Sequence, residues 1–164
     1  MMIAAYHPEG WREFYVMLGG SLAALTGLLF VATSIHIDEI AKVPHWRIRA
    51  FSNTFALIGL LIQSAMILAP QPTVWLGVEL LAFNLFMFCF IIIRLLVVWS
   101  KANARLPPLR MIFGGLAWLS NSLSGASLIA EAGGGLFLNA GACLVLTWVC
   151  LWNAWSLLLA NYQD

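Results

Sequence analysis

The sequence predicts an all-α integral membrane protein, a bundle of five transmembrane helices in one domain. Hydrophobic residues make up 62% of the 164-residue chain and charged residues only 9%, whereas a soluble domain carries about 25% charged residues. The apolar residues also collect in long runs, and a helix needs only ~20 such residues to cross a bilayer. So few charges cannot cover a water-facing surface, and lipid is the expected solvent.

Helix-breaking and charged residues divide the chain into the predicted spans. The breaks are a charged connection at 38–45, a turn at Pro70 and Pro72, a basic loop at 100–108, and three glycines after Glu131. Without the last break, one helix of roughly 80 Å would follow the basic loop, against a hydrocarbon core of ~30 Å. The predicted spans are 11–37, 46–68, 73–99, 109–130 and 136–160. In a four-span alternative, the serine-rich fourth segment is re-entrant.

The basic residues predict the orientation of the chain. Seven of the eight lysines and arginines lie in or beside the first and third loops, and Arg12 lies on the opposite side. Cytoplasmic loops carry an excess of basic residues. We therefore expect the N-terminus outside and the C-terminus in the cytoplasm, an arrangement that requires an odd number of spans.

The first predicted span carries a face of small residues. Four of them recur at the spacing i, i+3, i+4 and i+7, which places them on one side of a helix. They are Gly20, Ala23, Ala24 and Gly27. Glu13 and Asp38 lie near the two ends of the same stripe. Because small residues let helices approach closely in lipid, the face is predicted to pack against another helix, with pore lining as the alternative.

Polar residues within the spans fall at three depths when positions are counted from the span ends. The outer level contains Glu79, Gln63, Ser64, Ser124, Ser127 and Asn139; the middle level contains Thr26, Asn84, Asn121 and Thr147; the inner level contains Arg94, Ser34, Asn53 and Asn153, with Asp38 beyond. Unpaired polar groups are costly in hydrocarbon, so these levels are predicted to face the bundle interior. The candidate residues for an ion pathway are Glu79, Gln63, Asn84, Asn121, Glu13 and Asp38.

Glu79 is the most unusual of these residues, because a carboxylate within a span marks a candidate functional site. Two interpretations stay open. In one, a protonated Glu79 hydrogen-bonds Gln63 or Ser124 and fixes the helix register; in the other, it binds or relays a cation. Arg94 is expected to reach the cytoplasmic interface or to pair with Asp38.

Several functional classes lack their signatures in this sequence. A net charge of +1 provides no basic patch for nucleic acid, and there is no nucleotide fingerprint or nucleophile–base pair. The three cysteines lie in apolar runs and are predicted to be small buried side chains. A cluster of His36, Asp38, Glu39 and His45 follows no metal-binding motif, although its ability to bind metal stays open. We expect no enzyme activity and no cofactor.

The opening pattern carries a resemblance. W-x-x-F-Y-x-x-x-G-G-x-x-A-A-L-T-G-L-L-F-V-A-x-S occupies residues 11–34, followed later by G-V-E-L-L at 77–81 and N-A-W-x-L-L at 153–158. This pattern resembles that of a widespread set of small bacterial polytopic membrane proteins, which implies a multi-pass protein of a bacterial inner membrane. Residues 24–38 are also similar in texture to the pore-lining first helix of Orai calcium channels, which assemble around a ring of first helices.

The predicted function is a homo-oligomeric membrane channel or pore-like protein that conducts cations. Five short spans can hardly enclose a wide pathway within one protomer, whereas an oligomer builds one from repeated copies of the same helix. The alternative is a non-catalytic accessory or scaffold subunit of a larger membrane complex, which docks through the fourth span. The expected partners are membrane lipid and further copies of the chain, and not nucleic acid.

Overall fold

The computed structural model describes residues 3–102 and 108–160, and the regular structure of these residues is helical throughout. Two short 3-10 turns at Ile3–Tyr6 and Pro8–Trp11 precede the α-helices. The α-helices are α1 (Arg12–Ile35), α2 (Ile37–Lys42), α3 (Pro44–Leu68), α4 (Thr73–Ala102), α5 (Pro108–Ala130) and α6 (Gly135–Ala160). The prediction of an all-α protein is confirmed for these residues.

The helix ends coincide with the predicted breaks. Pro44 lies in the first turn of α3, where a proline sacrifices no helical hydrogen bond. Between α5 and α6, the backbone turns through Gly133 and Gly134 with φ values of 88° and 102°, a region that glycine adopts most readily. The predicted connection at 38–45 differs in one respect, because most of it forms the short helix α2.

Within the described residues, four helices are long and apolar enough to cross a membrane. Their apolar portions are Pro8–Ile35, Trp46–Leu68, Thr73–Ile93 and Gly135–Ser156. α5 is not among the four, since serine or asparagine occupies five of its positions between 120 and 127. It is nevertheless one continuous helix of 23 residues, with no break of the kind that a re-entrant segment needs.

Four of the helices form a closed ring in which α3 packs on α4, α4 on α5, α5 on α6, and α6 on α3. α1 lies outside this ring and packs along α3. The buried side of α1 carries a tyrosine and three leucines at helical spacing. They are Tyr15, Leu18, Leu22 and Leu29. The protein therefore has a four-helix core with a fifth long helix attached to its surface.

The tightest helix contact joins α4 to α5. A Cβ atom added to Gly125 would lie 2.6 Å from the backbone nitrogen of Leu81, and one added to Gly77 would lie 2.9 Å from the carbonyl oxygen of Gly125. Neither position has room for a methyl group. The two glycines therefore permit the backbones to touch, as small residues do between helices in lipid.

The N-terminal residues close one end of the bundle. The Thr73 hydroxyl donates a hydrogen bond to the Tyr6 carbonyl at 3.3 Å, and the Gly134 N–H donates to the Tyr6 hydroxyl at 3.2 Å. Ala5 is buried beside these contacts, against Gly135. The segment before α1 thus connects the α3–α4 turn to the α5–α6 turn.

The cysteines divide between the two environments. Cys143 and Cys150 are buried, as predicted, but Cys89 is exposed on α4. The prediction for Cys89 is wrong because an apolar run does not distinguish a core-facing position from an outward one when the outside is also apolar.

Candidate functional site

The outward side of α1 has no partner among the described residues. A Cβ atom added to Gly20 or Gly27 would meet no neighbouring helix within 4 Å. We call this side the α1 outer face; its members, all exposed, are Glu13, Gly20, Ala23, Ala24, Gly27, Ser34 and Asp38. No other part of the described chain covers these residues, although Asp38 belongs to α2 and follows the helix break at His36.

The opposite side of α1 is anchored to the bundle. Tyr15 has no exposed surface, and its hydroxyl donates a hydrogen bond to Oδ1 of Asn139 at 2.8 Å. Gly19 lies against Ser64 of α3, where an added Cβ would sit 3.5 Å from the serine Cβ. α1 is thus packed on one side and open on the other.

A set of polar side chains fills the interior where α1, α3, α5 and α6 meet. We call it the amide cluster; it consists of Tyr15, Gln63, Asn121, Ser124, Asn139 and Cys143, each with 0% of its surface exposed. Asn139 is its centre. Its Oδ1 accepts from Gln63 Nε2 at 2.9 Å, in addition to Tyr15, and its Nδ2 donates to Ser124 Oγ at 2.9 Å.

The remaining contacts of the amide cluster are longer. Gln63 and Asn121 exchange hydrogen bonds, with Nε2 to Oδ1 at 3.4 Å and Nδ2 to Oε1 at 3.5 Å. The Cys143 thiol donates to Asn139 Oδ1 at 3.6 Å. Its members carry no carboxylate, lysine or arginine, and they bond to one another. Such an arrangement fixes the positions of four helices and offers no vacant ligand for an ion.

Glu79 does not join this cluster. It is exposed on α4, and its Oε2 accepts a hydrogen bond from Gln71 Nε2 at 3.0 Å. The expected contacts of Glu79 with Gln63 or Ser124 are therefore wrong. The buried side of α4 carries Leu76, Leu80, Asn84 and Met87. Glu79 falls on the other side of the helix, where the glutamine of the α3–α4 turn supplies its partner.

The predicted middle level does not form a network. Thr26 and Thr147 donate to carbonyl oxygens of their own helices, at 2.7 and 2.8 Å. Asn84 is buried and donates to the Leu80 carbonyl at 2.8 Å. Only Asn121 reaches another helix. A hydroxyl can bond within its own helix, and so can the Nδ2 of Asn84, whose Oδ1 has no partner within the described residues. Depth alone does not select between contacts within a helix and contacts between helices.

Three side chains of the predicted inner end lie outside the described residues, namely those of Glu39, His45 and Arg94. The expected Arg94–Asp38 pair depends on one of these side chains, and metal binding by the cluster of His36, Asp38, Glu39 and His45 depends on the other two. The pair stays a prediction, and metal binding stays open. Among the side chains that the structure describes, no group of three or more histidine, cysteine or acidic residues could hold a metal ion.

Sequence reasoning missed two important features. The first is the buried position of Tyr15, which its spacing with Leu18 and Leu22 on one side of α1 could have indicated. The Gly77–Gly125 contact has no such signal, because each helix contributes a single glycine to it. A pattern within one helix cannot reveal a contact that two helices share equally.

Comparison with protein-family models, curated proteins and solved structures found no match to this chain. The interpretation of the α1 outer face and the amide cluster therefore rests on their own geometry. The first is an open surface of small and acidic residues, and the second is a closed polar core.

Proposed function

We propose that the protein is a homo-oligomeric membrane channel or pore-like protein in which the α1 helices of several copies pack around the symmetry axis. The observation that carries this proposal is the α1 outer face, which is exposed along the length of the helix. Small residues are the usual means by which helices associate in lipid. A small-residue face without a partner in its own chain is suited to another copy of the same helix.

The interior of the protomer favours a pathway between neighbouring copies over a pathway through a single copy. The amide cluster and the leucines around it leave 0% of their surface exposed, so the ring of α3 to α6 is filled. In this proposal Gln63 and Asn121 connect helices of the protomer, Asn84 is buried within it, and none of the three lines the path. The pathway residues belong to α1.

Two exposed carboxylates, Glu13 at the start of α1 and Asp38 in α2, supply the cation preference. Glu13 and Asp38 are exposed at opposite ends of the α1 outer face. In a closed ring of copies, each would form a ring of carboxylates, and such rings favour cations in channels. Gly20 and Gly27 lie between the two carboxylates. Because glycine has no side chain, these positions would form either the closest contact between α1 helices of neighbouring copies or the widest part of the pore.

The proposed topology has five spans, with the N-terminus outside and the C-terminus in the cytoplasm of a bacterial cell. α5, at 23 residues, is about 35 Å long, which exceeds the ~30 Å hydrocarbon core. It packs along α4 and α6, both apolar enough to span. The exposed Lys42 and Arg47 follow α1 and support a cytoplasmic location for that end.

An accessory subunit of a larger membrane complex is the second candidate, and Glu79 favours it. This carboxylate lies on the exposed side of α4, among Trp75 and Val78, and bonds Gln71. A polar group on an apolar outer surface fits contact with another protein better than contact with lipid. In this case the partner would cover α4, and the protein would transport nothing itself.

Cysteine cross-linking in native membranes separates the two candidates. Gly27→Cys places a thiol on the α1 outer face, and Val78→Cys places one on the exposed side of α4 as a matched control, both in a Cys89→Ala background. We expect Gly27→Cys to form disulfide-linked dimers and Val78→Cys to remain monomeric. Liposomes containing the protein should conduct a monovalent cation, with lower flux for Asp38→Asn.

Two outcomes contradict the channel proposal. The first is a Gly27→Cys protein that remains monomeric under oxidation. The second is an absence of cation flux for the cross-linked oligomer, which would favour the accessory role. Glu13→Gln provides an internal check, since the two carboxylate rings should both contribute to cation preference.

A further inference from the structure

α1 and α6 touch at one end and leave a groove between them further along. At the first end, Tyr15 bonds Asn139, and the rings of Trp11 and Phe137 meet edge to face with centroids 4.6 Å apart. The groove has a volume of about 200 Å³ and opens to one side. Its walls include Leu25, Leu29 and Ala32 of α1, Leu57 of α3, and Leu151 and Ala154 of α6.

The groove lies within the apolar portions of the helices that form it. Its walls belong to three of the helices that are apolar enough to cross a membrane. From Leu25 to Ala32 it extends about 10 Å along α1. With this length and a volume of about 200 Å³, the groove has room for a short run of methylene groups. These dimensions match one segment of an extended acyl chain.

Polar residues lie beyond one end of the groove. Asn53 lies one helical turn from Leu57 on the same side of α3 and is 3% exposed. Neither its Nδ2 nor its Oδ1 has a hydrogen-bond partner within the described part of the chain. His36 lies one turn beyond Ala32, and its Nδ1 is 3.1 Å from the Ala32 carbonyl. Exposed Lys42 and Arg47 come next along the chain.

We propose that the groove binds one acyl chain of an anionic phospholipid, whose headgroup lies at the end marked by Asn53, Lys42 and Arg47. The groove is too small for a helix, which has a diameter of about 10 Å with its side chains. Its apolar walls suit a hydrocarbon tail. Basic residues beside a cleft between transmembrane helices attract an anionic headgroup, and the unpaired amide of Asn53 can hydrogen-bond the ester region.

The proposal is tested by native mass spectrometry of the full chain in detergent. Phosphatidylglycerol and phosphatidylcholine with identical acyl chains are added separately. We expect phosphatidylglycerol to be retained at least several-fold more than phosphatidylcholine. Ala32→Leu combined with Ala154→Leu fills the groove and should reduce the retention of both lipids about tenfold. Ala82→Leu, which enlarges an exposed alanine of α4, is the matched control and should change neither.

A second double variant tests how much the lipid headgroup contributes to binding. Lys42→Gln combined with Arg47→Gln should remove the preference for phosphatidylglycerol while leaving the retention of phosphatidylcholine unchanged. Equal retention of the two lipids by the wild-type protein would overturn the proposed headgroup site.

Photo-labelling uses the wild-type chain, so this test of the groove does not depend on whether a variant folds. A phosphatidylglycerol with a diazirine in its acyl chain should label the segment at 150–154. Labelling confined to other segments would overturn the proposal. So would disulfide-linked dimers of Leu151→Cys in the Cys89→Ala background, because they would place a neighbouring copy in the groove instead of lipid. Both readouts are independent of cation flux, so this site can fail while the channel proposal stands.

Discussion

Two glycines of α1 face open space, whereas the glycines of the α4–α5 contact face another helix. Gly77 and Gly125 are covered, and an added Cβ at Gly125 would lie 2.6 Å from the backbone of Leu81. Gly20 and Gly27 would meet nothing within 4 Å. Yet α1 has the stronger motif in the sequence, with four small residues in a row on one side. The repeated pattern lies on the open surface, and the isolated glycines make the contact on which the protomer depends.

The cost of a helical glycine explains why this difference matters. A glycine within a helix is about 1 kcal/mol less favourable than alanine. At Gly77 and Gly125 the close contact of α4 with α5 offsets that cost. At Gly20 and Gly27 no contact within the described chain does so. In the proposed oligomer, contact between the α1 helices of neighbouring copies would offset the cost at Gly20 and Gly27.

Filling the covered contact should have the largest effect on the protomer. Gly125→Leu forces a side chain into the backbone of α4, and we expect a destabilisation of about 3 kcal/mol, the upper end of the range for overpacking. Thermal unfolding in detergent, followed by circular dichroism, measures it. Gly141→Leu is the matched control, because Gly141 is a helical glycine of α6 with open space around it. Equal melting temperatures for the two variants would contradict the close contact.

Breaking the amide cluster should have the next largest effect. Asn139→Leu removes the acceptor of Tyr15 and Gln63 and the donor to Ser124. Because buried polar groups without partners cost about 1–3 kcal/mol, we expect a loss of about 2 kcal/mol in the same unfolding measurement. Asn153→Leu, at a half-buried position further along α6, should cost clearly less. Comparable losses would mean that the cluster contributes no specific stability.

Filling the open face should have the smallest effect on the protomer and the clearest effect on assembly. We expect Gly20→Leu or Gly27→Leu to raise the helical stability of α1 by at most about 1 kcal/mol, because leucine favours a helix over glycine. The oligomer should be lost when its mass is measured by native mass spectrometry. Leu28→Ala, beside the same face, should leave the oligomer intact. Unchanged assembly of both glycine variants would indicate that the face contacts lipid.

The positions of the helices could be predicted because the signals that end them are local. Prolines at 44, 70 and 72 and the glycines at 133–135 specify backbone conformations that interrupt a helix. The sides of the helices could not be predicted equally well. Counting residues assigns Glu79 to a depth, but the direction in which its side chain points depends on the rotation of α4 about its axis.

Lipid removes the usual signal for that rotation. In water, polar residues mark the outer side of a helix. On α4, however, Phe86 and Ile93 are exposed while Leu80 and Met87 are buried, and both sides are equally apolar. α1 was easier, because its outer face carries small and acidic residues that its buried side lacks. Contrast between the two sides of α1, and not hydrophobicity itself, distinguishes its outer face, and the packing of that face against another helix stays a prediction.

The hydrogen bond between Tyr15 and Asn139 joins residues that are 124 positions apart. Synthesis runs from the N-terminus, so α1, α3 and α5 are all made before the asparagine that connects them exists. Until α6 enters the membrane, Tyr15 and Gln63 lack their shared acceptor. A chain that stops before residue 139 therefore leaves these groups without it, and α1 is held by its packing on α3 alone until the last helix is complete.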